Sequence, residues 1–113
     1  MEKAKKLFES IIDIHTEIRN ESENYLRRML EKNGKNISFD SVEDYYNVSV
    51  CYDGGRHPEY GSNVYSFVKS VFLNEKDKIC LETEDCFEYD IERISWDEVY
   101  DVAMFVYEYL NLR

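Results

Sequence analysis

Apolar positions recur along this chain with two different periods, and each change of period marks a change of element. From about Glu2 to about Lys32, Ala4, Leu7, Phe8, Ile11, Ile12, Ile14, His15, Ile18, Tyr25, Leu26, Met29 and Leu30 largely follow the i, i+3, i+4 spacing of an amphipathic helix. Gly34 stands where a left-handed C-cap belongs. At about 1.5 Å per residue an unbroken helix of this length would run roughly 45 Å, longer than a compact domain of this size is wide. Arg19 to Glu23 is polar all round, and Asn20 with Glu23 has the spacing of a capping box. The pattern therefore leaves two expectations open: a break at that stretch, or one end of the helix projecting. A projecting end would carry a seam of Phe8, Ile11, His15, Ile18, Tyr25 and Met29 at heptad-like spacing, able to pair with a second copy as a homodimer. Ser22 interrupts that seam, which favours its use in the core.

Beyond Gly34 the period falls to two. Asn36 to Asp44 is a connection with room for a short strand at Ile37 to Phe39, and Tyr46, Val48, Val50 and Tyr52 then alternate with polar or small residues. The stretch from Val64 to Ile91, around which the fold is built, reads as three successive strands: Tyr65, Phe67, Val71 and Leu73; Ile79, Leu81 and Thr83; Phe87, Tyr89 and Ile91. Val64, Val68 and Phe72 make the first of these apolar on both faces, which suits a central position. One turn falls within Asn74 to Lys78. The other needs an odd-length loop such as Glu84, Asp85, Cys86, if Leu81 and Tyr89 are to share a face. Ser95 to Glu98 is a capping box that opens a second helix running to about Leu110, with Val99, Val102, Ala103, Val106 and Leu110 as its core face. The expected fold is a single α+β domain over residues 1–113: a long N-terminal helix, a four-stranded, mainly antiparallel meander and a C-terminal helix packed on the sheet.

Charge changes this picture because it is unevenly spread. Of the net −10, residues 75–101 alone hold −8, while residues 1–35 are at +1. Such a surface repels nucleic-acid phosphates and anionic lipid, so neither is expected as a direct partner. The apolar runs are too short to span a bilayer, and no signal-peptide block opens the sequence, so a cytoplasmic home is expected. Three cysteines without paired spacing argue against a disulfide framework or a cysteine zinc site.

Catalytic motifs are missing from the sequence: there is no phosphate-binding glycine loop, no GxSxG and no HExxH. His15 lies on the apolar face of the first helix and reads as a packed residue. The segment from Asp53 to Asn63 holds three of the four glycines and the single proline. Within it Asp53, Arg56, His57 and Glu59 form the one candidate ligand-binding or catalytic loop, spanning Gly54 to Gly61. The acidic run from Glu82 to Asp90 lacks the glycine of a calcium loop, and no cofactor or metal is expected. Ten tyrosines, a residue enriched at protein interfaces, complete the pattern. Glu82, Glu84, Asp85, Glu88, Tyr89, Asp90, Asp97 and Tyr100 are the candidate partner-binding residues. The expected function is a non-enzymatic, acidic binding module for a basic protein, acting as an inhibitor, an immunity protein or a nucleic-acid mimic would. The rival expectations are a small-ligand protein or enzyme using the loop, and a structural or dimerisation domain.

Overall fold

A computed structural model of the chain describes residues 2–39, 48–51, 65–84 and 88–111. Helix α1 runs unbroken from Glu2 to Lys32. It ends in a left-handed turn: Gly34 has φ 77°, and the Lys35 N–H returns to the Leu30 carbonyl at 2.6 Å, a closure that satisfies a carbonyl the helix itself leaves unpaired. Five strands follow among the described residues: β1 (Asn36–Ser38), β2 (Ser49–Cys51), β3 (Tyr65–Leu73), β4 (Ile79–Thr83) and β5 (Glu88–Asp90). A 3₁₀ turn over Ile91–Arg93 leads to helix α2, Trp96–Asn111.

Strands β3, β4 and β5 form the antiparallel meander that the period-two pattern predicts. β3 is central. The peptide group joining Phe67 to Val68 accepts the Glu84 N–H through its carbonyl and donates its N–H to the Val48 carbonyl. A peptide's two polar groups point opposite ways, so β2 lies on the edge of β3 away from β4. β1 pairs with the second half of that edge, Ile37 opposite Val71. The fold thus has one strand more than the four expected, because the short Ile37 segment is a true strand.

Register decides which side chains share a face. Ile37, Val71, Leu81 and Tyr89 line up as one row across four strands and all are buried. Leu81 opposite Tyr89 is the odd-to-odd pairing required of the β4–β5 connection. At the other turn, Asn74 accepts the N–H groups of Lys76 and Lys78 through its side-chain oxygen, and Asp77 takes φ 62°. An irregularity in the pairing between Val68 and Ser70 lets both Val68 and Val71 face inward, although they are an odd number of residues apart.

Both helices cover this inner face. Leu26 and Leu30 of α1 join Val99, Val102, Ala103 and Val106 of α2 and the strand residues in one core, and the Phe39 ring meets Phe105 and Tyr109 edge-on at 4.8 and 5.1 Å. Leu110, the last position of the predicted core stripe, is half-buried. Burying a full-sized aliphatic side chain is worth about 1.5–3 kcal/mol, so this one layer dominates stability.

The continuity of α1 resolves the choice left open at Arg19 to Glu23. Arg19 sends its guanidinium across to the 3₁₀ turn, donating to the Ile94 and Ile91 carbonyls at 2.9 and 3.0 Å. Buried Ser22 donates back to the Ile18 carbonyl at 2.7 Å. The polar stretch satisfies a neighbouring turn rather than capping a new helix, so the helix continues and its N-terminal end projects. The longest dimension of the molecule is 50 Å. The seam expected to serve the core divides accordingly: Ile18, Tyr25 and Met29 are half-buried, whereas Ile11 is 50% exposed. Phe8's side chain lies outside the described residues. No helix among the described residues is long and apolar enough to cross a membrane.

Candidate functional site

The pairing pattern sorts the candidate partner-binding residues onto two opposite sides of the molecule. Glu82 stands directly opposite Glu88, and Asp90 opposite Cys80, in two rows on the outer face of the sheet. Two of these carboxylates have lysines within the fold: Lys69 Nζ lies 3.7 Å from Glu82 and Lys78 Nζ 3.8 Å from Asp90. Asp90 also accepts the Glu92 N–H at 3.0 Å, which caps the 3₁₀ turn. Glu84 and Glu88 are exposed. Cys80, opposite Asp90, is buried, and burial first, then the Asp90 and Glu88 carboxylates, push its thiol above the ordinary range.

Tyr89 is not part of any such surface. It is 3% exposed and belongs to the buried row with Leu81. Successive residues of a strand point to opposite faces, so a residue between Glu88 and Asp90 must point into the core if they point out. Asp85 lies outside the described residues, as do Asp53, Arg56, His57 and Glu59 and the whole Gly54 to Gly61 loop.

Asp97 and Tyr100 sit on the other side, on α2. Ser95 caps this helix as its sequence predicts: its N–H donates to Glu98 at 3.2 Å and its hydroxyl lies 2.9 Å from the same carboxylate oxygen. Asp97 faces the same hydroxyl. The two carboxylates in the first turn meet the positive end of the helix dipole. One turn further on, the Asp101 carboxyl is pushed above the ordinary range, by partial burial first and then by Asp97 and Glu98. Like charges three and four residues apart on a helix repel.

Around this acidic end, α2 exposes large side chains. Tyr100 is 45% exposed, Tyr107 50%, and Met104 lies between them. With Tyr25, Ser22 and Glu21 of α1 and Ala103 they line an apolar groove of about 210 Å³ between the two helices. Asp101, Met104 and Glu108 also border a second, more polar cleft on the other flank of α2, beside Val48 and Ser49. Burial first, then Tyr107, raises the Tyr25 hydroxyl above its ordinary range.

Met104 and Glu21 are the residues that reading the sequence did not single out. The signal for Met104 is present in the helical spacing: Tyr100, Met104 and Tyr107 at i, i+4, i+7 form one stripe, distinct from the core stripe of Val99, Val102 and Val106. His15, expected to be packed, stacks on Trp96 with ring centroids 4.1 Å apart and planes 16° from parallel. Among the described residues no cluster of three His, Cys, Asp or Glu side chains could hold a metal ion. No known protein family, characterised protein or solved structure matches the chain.

Proposed function

We propose that this chain is a non-enzymatic binding module that takes a positively charged protein on the outward face of α2 and the adjoining groove, blocking the cationic surface that the partner uses for its own ligand. The observation that carries this reading is the make-up of α2. Its sixteen residues hold Asp97, Glu98, Asp101 and Glu108, no lysine and no arginine, and exposed Tyr100, Met104 and Tyr107 stand among them. The carboxylates supply long-range attraction for a cationic partner and the tyrosines supply contact area with few rotatable bonds. The outer sheet face is the weaker candidate for the same role, since Lys69 and Lys78 offset part of its charge.

The test is a titration with a lysine-rich amphipathic helical peptide, with a glutamate-rich peptide of the same pattern as control. Trp96, the single tryptophan, sits at the start of α2 and reports by fluorescence. Saturable binding that weakens about tenfold between low and moderate salt is expected, because screening shortens the reach of the carboxylates. Absence of binding, or equal binding of the acidic peptide, overturns the proposal.

A further inference from the structure

Among the described residues, helix α1 runs on past the point where the body covers it. His15, stacked on Trp96, and Ile18 are half-buried. On the N-terminal side of them Leu7 is 67% exposed, Ile11 50% and Ile14 53%. These residues are not scattered. Ala4, Leu7, Ile11, Ile14 and Ile18 step by three and four residues alternately, the spacing of a two-helix seam. At 3.6 residues per turn Ala4, Leu7 and Ile11 stand five full turns before Ser22, Tyr25 and Met29, which are buried or half-buried against the body. The overhang thus turns to solvent the continuation of a side that the body partly covers further along the helix.

The charges along the same segment say what fits it. Lys3 and Glu17 flank the stripe near its two ends, while Lys5, Lys6, Glu9 and Asp13 stand on the far side of the helix. Such a helix is complementary to itself when a second copy lies antiparallel, with each Lys3 beside the other copy's Glu17. A parallel copy would leave both residues without that partner. In the antiparallel arrangement with Leu7 against Ile11 of the second copy, Ala4 meets Ile14 and the flanking positions bring Lys3 beside Glu17, twice by symmetry. The second copy's first turn then ends near Glu17, where the first body begins, so the overlap uses the whole exposed length of about 18 Å.

We propose that the overhanging half of α1 is a homodimer interface, an antiparallel two-helix contact centred between Leu7 and Ile11. It is carried by α1 alone and stands whether or not the acidic face of α2 binds a basic protein. It would make the module bivalent, with two α2 faces held on opposite ends of a short helical bridge. The contact is small for a specific interface, so dimerisation is expected in the micromolar range rather than as an obligate state.

Sedimentation velocity of the full chain over a wide concentration range tests it. The expected result is a monomer of 13.6 kDa giving way reversibly to twice that mass. I11D, at a position exposed in the monomer, should abolish the change while circular dichroism and the melting of the body stay as they were. Lys3→Glu and Glu17→Lys should each weaken association about tenfold, because both symmetry-related pairs become repulsive together, and the double variant should regain most of the loss. A monomer at all concentrations overturns the proposal. So does a dimer indifferent to I11D, or a charge-swapped double variant no better than either single one.

Discussion

Arg19 holds the projecting helix to the body, and its replacement by Met is the sharpest test of how the two are joined. Its side chain is about one quarter exposed and makes three contacts: two hydrogen bonds to the carbonyls of Ile94 and Ile91 at 2.9 and 3.0 Å and an ion pair with Glu23 at 3.4 Å. Hydrogen bonds from a charged donor contribute about 1.5–3 kcal/mol each when buried, and partial solvent access lowers that. An i,i+4 surface ion pair adds about 0.3–0.5 kcal/mol. Arg19→Met is therefore expected to cost about 2–3 kcal/mol. For a domain of this size, at about 4 °C per kcal/mol, melting should fall by about 8–12 °C. Arg19→Lys should recover about half, since one ammonium cannot serve two carbonyls in the forked geometry of a guanidinium. Glu23→Gln should cost no more than about 0.5 kcal/mol. Urea unfolding followed by circular dichroism measures all three variants with a common slope. If Arg19→Met costs no more than Glu23→Gln, the carbonyl contacts do not join helix to turn and the reasoning fails.

Other outcomes follow from the charge distribution and the core. Asp101, whose carboxyl titrates above its ordinary range, should destabilise the fold when ionised, so the stability linked to it is fully present below the unfolded value near 3.8 and is lost as pH rises through the higher folded value. Asp101→Asn should accordingly stabilise the protein at pH 7, by no more than about 0.5 kcal/mol for so exposed a group, and the gain should vanish in acid; equal effects at pH 3 and pH 7 would contradict this. The Cys80 thiol, raised by burial and by Asp90 and Glu88, should alkylate at pH 8 far more slowly than a cysteine in an unfolded peptide, with residue-resolved mass spectrometry separating it from Cys51 and Cys86. Leu26→Ala, at a side chain with no exposure, should cost about 2–5 kcal/mol.

Most of the architecture could be read from local patterns because each pattern states its own physical cause. The Ser95 to Glu98 box, Gly34 at the C-cap, and the odd pairing of Leu81 with Tyr89 each depend on residues a few positions apart, and each appears where expected. What could not be read depends on partners far along the chain. Arg19 opens a stretch that reads as a break in the helix because the carbonyls it satisfies lie 72 and 75 residues away. The acidic stretch looked like one surface because β5 and α2 are neighbours in sequence, yet the sheet lies between the side chains of Glu88 and those of Asp97 and Tyr100. Composition groups Tyr89 with its acidic neighbours, although the period of the strand, which also places it beside Leu81, directs it inward. Lys69 and Lys78 could not be matched to Glu82 and Asp90 without the register that aligns β3, β4 and β5.

The central claim is that the acidic, tyrosine-bearing side of α2 meets a basic protein, and a comparison of the two carboxylate faces tests it most directly. Binding of the lysine-rich peptide is to be measured by isothermal titration at low salt for the wild type, for D97K/D101K and for E82K/E88K. The account predicts that reversal on α2 abolishes binding while reversal on the outer sheet face weakens it only by the general loss of negative charge. Binding that survives D97K/D101K but is lost in E82K/E88K would contradict it.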